Sequence, residues 1–240
     1  RRRMVLHDAA IDGDLGALRD RIARGDDVDG RVGPGLTPLI CACNIGRLEC
    51  AQAMIDAGAA VDKVDNKGLT ALMHACKAGH RVCARALINA GAAVDKVDNK
   101  GLTVLMHACN FGHLECAQAL IDAGAAVDKA DNDGTSALMY TCGQDHVACA
   151  RALINAGAAV DKADNDGTSA LLYACVLGQH ECARALIDAG AVVDKVDDGG
   201  RTALIGACHF GDVVCARALI DADAAVDKVD NKGLTALMRA

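Results

Sequence analysis

Hydrophobic and polar positions along this chain follow a pattern that returns every 33 residues without a shift in register. Within one period, Asp98 to Ala130, apolar residues occur at helical spacing in two short segments, and each segment ends at a glycine. The turn Asn99-Lys100-Gly101 precedes the first segment. Two short helices and a turn cannot bury their apolar faces alone, whereas stacked copies can. The pattern therefore predicts an all-α solenoid.

Local signals place the two helices of this period. Thr103 is expected to cap the first helix, because its hydroxyl can accept a backbone N–H group of the first turn. Gly112 is expected to end that helix, since glycine enters the left-handed conformation without a steric penalty. A second helix is predicted from about His113 to Ala123, and Gly124 ends it.

Two of the equivalent stop positions hold Asp145 and Asp223 instead of glycine. We expect both to adopt the left-handed conformation, at a cost of about 1 kcal/mol each.

The segment Gly35-Leu36-Thr37-Pro38-Leu39 resembles the T-P-L-H core of the ankyrin repeat, a β-turn and two helices in 33 residues. The resemblance covers essentially the whole chain. It implies one ankyrin-repeat solenoid over residues 1–240, with an N-terminal capping repeat at 1–31, six complete repeats over 32–229 and a truncated eighth repeat at 230–240. The basic run Arg1-Arg2-Arg3 is expected to be a solvated end.

The chain departs from the family at the histidine of that core. Met, Leu or Ile stands at this position in the later repeats, and only His7 keeps the histidine. We therefore expect apolar contacts, rather than a His–Thr hydrogen bond, to hold the starts of the first helices.

Composition excludes several classes of function. The chain is 52% hydrophobic but only 2% aromatic, which suits a core of small residues, and its net charge of −7 disfavours nucleic acid as a ligand. No apolar run is long enough to predict a membrane span. No Ser-His-Asp, HExxH or phosphate-loop pattern occurs, and the Asp-rich turns lack the spacing of a calcium loop. We expect a non-enzymatic protein without cofactor or metal.

Twelve of the thirteen cysteines form a C-x6-C pair in each complete repeat. Zinc motifs use closer spacings, so we interpret the pairs as reduced core residues, typical of a reducing intracellular compartment such as the cytoplasm or nucleus. Cys41 falls outside the pattern and is predicted to be the most accessible thiol. The pairs are Cys43/Cys50, Cys76/Cys83, Cys109/Cys116, Cys142/Cys149, Cys175/Cys182 and Cys208/Cys215.

The repeats also serve as an internal comparison, because columns that vary between copies are expected to be free of structural demand. The resemblance implies that such columns line a concave groove that binds a protein or peptide. Both Phe and both Tyr residues of the chain lie in them, and aromatic residues are enriched at interface hot spots. The candidate partner-binding residues are Ile45, His74, Lys77, His107, Phe111, Tyr140, Tyr173, Leu177 and Phe210.

The turn tips change from Lys67 and Lys100 to Asp133 and Asp166 along the chain. We therefore expect a peptide with apolar anchors and the opposite charge asymmetry as the partner of a monomeric interaction module or scaffold. Three alternatives remain open. The aromatic rings of the variable columns are packing filler between repeats; the chain is an engineered or consensus-like array without a natural partner; or it is a regulatory domain of a larger enzyme or channel.

Overall fold

A computed structural model describes residues 5–240, so the basic run Arg1-Arg2-Arg3 lies outside the described residues. The described part contains fifteen α-helices and isolated antiparallel bridges at the turns. In chain order the helices are α1 Leu6–Asp12, α2 Leu15–Ala23, α3 Pro38–Ile45, α4 Leu48–Asp56, α5 Ala71–Lys77, α6 Arg81–Asn89, α7 Val104–Asn110, α8 Leu114–Asp122, α9 Ala137–Gly143, α10 Val147–Asn155, α11 Ala170–Val176, α12 His180–Asp188, α13 Ala203–His209, α14 Val213–Asp221 and α15 Ala236–Arg239.

Hydroxyl side chains start the first helix of the repeats, as the sequence predicts. The hydroxyl of Thr103 accepts the backbone N–H of Met106 at 3.1 Å, and that of Thr37 accepts the N–H of Ile40 at 3.2 Å. The expectation that only apolar contacts replace the family's histidine is incomplete. The sulfur of Met106 lies 3.3 Å from the backbone nitrogen of Thr103, so the thioether closes a capping box as a weak acceptor.

An aspartate holds the turn before each first helix from α5 onward. In the turn before α5, Oδ1 of Asp65 accepts the backbone N–H groups of Lys67 at 2.8 Å and Leu69 at 2.9 Å. Gly68 has φ +81°, and a Cβ there would stand 2.6 Å from Oδ1 of Asn99 in the next turn. The turn glycine is therefore required both by its backbone conformation and by the close approach of the neighbouring repeat.

A second aspartate ties neighbouring repeats together. Oδ1 of Asp62 accepts the backbone N–H of Ala93 at 3.1 Å, and Lys96 Nζ donates to the carbonyl of Asp62 at 2.7 Å. Equivalent bonds to the next repeat are made by Asp29, Asp128, Asp161 and Asp194. The Asp-rich segments that resemble a metal-binding composition are thus occupied in backbone hydrogen bonding.

The contacts divide the chain into two compact units. The first extends to Ala108 and includes Glu115–Ala126; the second comprises Cys109–Leu114 and Val127–Ala240. In the first unit, α1, α3 and α5 pack side by side, as do α2, α4 and α6. In the second unit, α9, α11, α13 and α15 pack in one layer and α10, α12 and α14 in another. The placement of one cap, six repeats and a truncated repeat stays a prediction.

The core of each unit consists of aliphatic, alanine and cysteine side chains. Leu18, Leu72 and Leu87 are fully buried in the first unit, and Leu153 and Leu186 in the second. Small residues such as Ala and Cys let the short helices approach closely, which explains why so few aromatic residues suffice. The prediction of an all-α repeat fold is confirmed.

The two unusual helix stops adopt the conformation that the sequence predicts. Asp145 has φ 54° and Asp223 has φ 61°, and they are the two non-glycine residues with positive φ in the described part of the chain. Short polar side chains tolerate this region better than most residues, because they can hydrogen-bond locally.

Candidate protein-binding site

Most of the first helices carry one residue that reaches back to the aspartate of the preceding turn. Nε2 of His74 lies 3.0 Å from Oδ2 of Asp65, and Nε2 of His107 lies 3.1 Å from Oδ2 of Asp98. A carboxylate only accepts hydrogen bonds, so in both pairs the imidazole Nε2–H is the donor. Each first helix is thereby fastened to the turn that precedes it.

Tyrosine performs the same task in the second unit. The hydroxyl of Tyr140 donates to Oδ2 of Asp131 at 2.7 Å, and that of Tyr173 donates to Oδ2 of Asp164 at 2.9 Å. In the last copy, Arg239 occupies the equivalent position and pairs with Asp230. Histidine, tyrosine and arginine in this column thus all donate a hydrogen bond to the turn aspartate of their own repeat.

The column is therefore not free of structural demand, and that expectation is wrong for His74, His107, Tyr140 and Tyr173. His107 is only 6% exposed, whereas His74 and both tyrosines are partly buried. A role of these four side chains in binding a partner stays a prediction.

Burial and the aspartates set the protonation of this column. Burial lowers the pKa of His107 and of His74, although the neighbouring carboxylates oppose this shift. Burial and the contact with Asp164 raise the pKa of Tyr173 to about 12. At neutral pH the imidazoles of His74 and His107 and the phenol of Tyr173 are therefore neutral.

Gly206 interrupts the column. A Cβ at this position would stand 2.9 Å from Cγ2 of Val176, so a side chain would require its neighbour to move. Arg201 supplies the missing donor, because its Nε lies 2.8 Å from Oδ2 of Asp197. The space without a ring forms a cavity of about 400 Å³, whose lining includes Val176, Arg201, Ile205, Gly206, Phe210, Asp230, Lys232 and Arg239.

Exposed apolar side chains lie at the ends of the first helices. Phe111, Leu177 and Phe210 are 44%, 52% and 59% exposed, and Phe210 also lines the cavity. Leu177 and Phe210 directly follow α11 and α13, two helices that pack against each other in the second unit. In the first unit, Ile45 at the end of α3 is 40% exposed and Lys77 at the end of α5 is exposed.

The geometry thus separates the nine candidate residues into two groups. The four of the ring column are anchored to aspartates, while the other five are exposed at or directly after the helix ends: Ile45, Lys77, Phe111, Leu177 and Phe210. The sequence analysis named Phe210 as a candidate but missed the cavity that this residue lines. Two residues in the sequence could have indicated the cavity: Gly206, the one column member without a side chain, and Arg201 beside the turn.

The cysteines of the described residues are free thiols, and all are buried except Cys208, which is partly exposed. The prediction that Cys41 is the most accessible thiol is wrong. Cys41 is a buried residue of α3, and only 5% of its surface is exposed. The first cysteine of one repeat contacts the second cysteine of the next, as in Cys43 with Cys83 and Cys109 with Cys149. Sequence spacing pointed to pairs within a repeat, but stacking creates pairs between repeats.

Among the described residues, none of the helices is long and apolar enough to cross a membrane.

Comparison with known proteins gives one consistent result. The sequence profile described as "Ankyrin repeats (3 copies)" matches residues 6–98, 40–131, 86–164 and 105–197, and the profile "Ankyrin repeat" matches residues 199–231. Among solved structures, the chain is similar to the crystal structure of the human ASB11 ankyrin repeat domain, with a TM-score of 0.84 and 28% identity over 93% of this chain and 99% of that chain. No curated protein matched the sequence.

Proposed function

This chain belongs to the ankyrin repeat family, and from that premise we propose that it is a non-enzymatic module that binds a protein or peptide through the ends of its first helices. Ankyrin repeats are protein–protein interaction modules in general, and the more specific assignment of a surface to this chain is ours. The observation that carries it is the row of exposed apolar side chains, above all Phe111, Leu177 and Phe210.

Burial of large apolar side chains at an interface is the usual source of binding energy. Aromatic residues are enriched among hot spots, and a residue about half exposed can still bury substantial area against a partner. Phe210 contacts the ring of His209, with ring centroids 4.9 Å apart, and Phe111 stacks on His113 at 6.4 Å. These contacts orient both phenyl rings, which lowers the entropy lost when a partner orders them.

The charges of the second unit suggest the chemistry of the ligand. Asp133 and Asp166 stand exposed at two turn tips, whereas Arg201 and Lys232 line the cavity beside Phe210. We therefore propose an extended or helical segment with apolar anchors on Leu177 and Phe210, a basic side chain facing the aspartates, and an acidic side chain facing Arg201 and Lys232. Complementary charge would fix the direction of the segment and raise its association rate.

In the first unit, the equivalent positions hold Ile45, His74, Lys77 and His107, and we propose them as contact residues of that unit. Ile45 supplies exposed apolar surface and Lys77 supplies positive charge. His74 and His107 offer imidazole edges that remain neutral at physiological pH.

The experiment is selection of binders from a displayed random-peptide library, followed by affinity measurement on variants of this chain. Phe210→Ala and Phe111→Ala are each expected to weaken the selected peptides by about 2 kcal/mol, roughly 30-fold, while the melting temperature barely changes. Val214→Ala is the matched control, because Val214 is equally exposed, at 54%, but lies on the second helix α14. Loss of binding in Val214→Ala, with unchanged binding in both phenylalanine variants, would overturn the proposed surface.

A further inference from the structure

Three side chains of the second unit converge at a point that the binding surface does not use. His180 begins α12, Asp212 directly precedes α14, and Cys215 lies in the first turn of α14. Their ligand atoms, one nitrogen, one oxygen and one sulfur, all lie within 4.8 Å of one another. The thiol of Cys215 also contacts that of Cys175 on α11. We propose that these four residues bind one zinc ion.

An unsatisfied carboxylate oxygen points to a missing ligand at this place. Oδ1 of Asp212 accepts the backbone N–H groups of Val214 and Cys215, each at 3.1 Å, and lies 2.9 Å from Nε2 of His180. The Asp212 side chain is only 10% exposed, and its Oδ2 has no well-aligned hydrogen-bond partner within residues 5–240. The thiol of Cys215, a weak donor, lies beside this carboxylate. Buried carboxylate oxygens are normally paired, so one without a partner requires a specific cause.

The residue at the position of Asp212 differs from its equivalents in the other complete repeats, which are Arg47, His80, His113, His146 and Gln179. The imperfect first copy also has an aspartate there, Asp14, whose Oδ1 accepts the backbone N–H of Ala17 and caps α2. The imidazoles of His80 and His146 lie over Gly46 and Gly112 of the preceding repeat, within 2.6 Å of where a Cβ would stand. The shorter carboxylate of Asp212 instead keeps its Oδ2 3.7 Å from the corresponding position of Gly178. At this junction a carboxylate oxygen of Asp212 thus stands where other repeats have an imidazole ring.

The residue type also changes at the position of His180, in the neighbouring repeat of this junction. Its equivalents in the other complete repeats are Leu48, Arg81, Leu114, Val147 and Val213, so an imidazole occurs there once. A thiol contact like that of Cys175 with Cys215 occurs also between Cys43 and Cys83. Among the described residues, His180, Asp212 and Cys215 form the one cluster of three such ligands, and the thiol of Cys215 in turn contacts that of Cys175.

The donor set fits zinc better than harder cations. Thiolate and imidazole are ligands that zinc prefers, in a tetrahedral site with bond lengths of about 2.0–2.3 Å. These lengths place neighbouring ligand atoms about 3.6 Å apart, so His180, Asp212 and Cys215, whose ligand atoms lie within 4.8 Å of one another, require only small side-chain adjustments. Cys175 would have to approach the ion from its contact with Cys215. The His180 side chain is 45% exposed and gives the ion access from solvent, while Cys175 and Cys215 are buried beneath it. The bound ion would release the protons of the two thiols, and His180 would bind as a neutral imidazole through Nε2 with its proton on Nδ1.

The sequence alone predicts no metal site, because the four ligands belong to two successive repeats and to three helices or their caps. Neither the spacing between Cys175 and His180 nor that between Asp212 and Cys215 matches a contiguous zinc motif. Stacking of one repeat on the next brings the two pairs together.

The test is titration of the metal-free, reduced 240-residue chain with cobalt(II), a spectroscopic substitute for zinc, followed by displacement with zinc. We expect one equivalent to bind, with a thiolate-to-cobalt charge-transfer band and the visible absorption of a tetrahedral site. His180→Ala and Asp212→Asn should each weaken binding at least about tenfold, since single ligands and their supporting partners contribute on that scale. Cys215→Ser should remove the charge-transfer band.

Cys83→Ser is the matched control, because Cys83 occupies the same helix position, is equally buried and also contacts a thiol of the neighbouring repeat. It should leave cobalt binding unchanged. A thermal scan adds a second readout, in which zinc raises the melting temperature of the parent chain but not of His180→Ala, which exposes no core and should fold normally. Absence of a saturable cobalt spectrum, or equal loss in Cys83→Ser and Cys215→Ser, would overturn the site.

Discussion

The hydroxyl of Tyr140 donates a 2.7 Å hydrogen bond to Oδ2 of Asp131, the aspartate whose Oδ1 holds the turn of the same repeat. The tyrosine is therefore part of the scaffold as well as part of a candidate binding surface. One side chain cannot be assigned to either role from its variability alone. Separate measurements of stability and of binding are needed to distinguish them.

Tyr140→Phe should destabilise the chain by about 1–2 kcal/mol, because it leaves the buried Oδ2 of Asp131 without this charged hydrogen bond. Tyr140→His is the matched variant, since His74 and His107 make the same bond in other repeats. It should retain most of the stability. Chemical denaturation monitored by circular dichroism measures both, and equal stability of the phenylalanine variant and the parent would contradict the structural role.

Acid should destabilise the chain through His107. Its pKa is lowered in the folded state, first by burial and then by Lys77 and His74, while Asp98 opposes the shift. The unfolded chain therefore takes up a proton that the folded chain does not, once the pH falls below the ordinary histidine pKa of about 6.5. The contribution of His107 to the free energy of unfolding is therefore fully present above that pH. It is lost as the pH falls toward the lowered pKa of His107 in the folded chain.

His107→Tyr, which copies the residue of the following repeats, should keep the bond to Asp98 and remove this titration. The fall in unfolding free energy between about pH 7.5 and about pH 5.5 should then be smaller than in the parent chain. His209→Tyr, at an exposed position, serves as the control and should leave the pH profile as it is. A profile unchanged by His107→Tyr would exclude His107 as the titrating group.

Asp223→Gly should stabilise the chain by up to about 1 kcal/mol, because glycine adopts the positive φ of this helix stop without strain. Asp145→Gly should gain less, since Asp145 also contacts the thiol of Cys182 and that contact is lost. Asp223→Ala should be destabilising, because alanine has the strain without the local polar contacts of aspartate. Melting temperatures that fall in Asp223→Gly would refute the strain argument.

Cys208 should be the first thiol modified by a bulky reagent in the native state. It is the partly exposed cysteine of the described residues, although burial still raises the pKa of its thiol and slows the reaction. Cys208→Ser should abolish the fast phase, and Cys41→Ser should leave it unchanged. Rapid modification of several thiols without unfolding would show that the cysteine core is more open than the fold implies.

The sequence alone determined the architecture of each repeat. A 33-residue period, hydroxyls before the helices and glycines after them suffice to predict paired helices such as α7 and α8, because capping and backbone conformation are local properties of the chain. The left-handed conformation of Asp145 and Asp223 followed from the same register. The recurrent apolar positions predicted the core residues, because the same face is buried in each complete copy.

Only the tertiary structure decided what the variable positions do. Whether His107 is free or bonded to Asp98 depends on where a helix meets a turn nine residues away, and the cavity beside Gly206 depends on Val176 of the neighbouring repeat. Cys43 contacts Cys83, and Asp212 meets His180, across repeats rather than within them. Sequence periodicity specifies what each repeat contains. Contacts between repeats depend on the distances that packing creates, so the accessibility of Cys41, the pocket and the proposed zinc site could be recognised only in three dimensions.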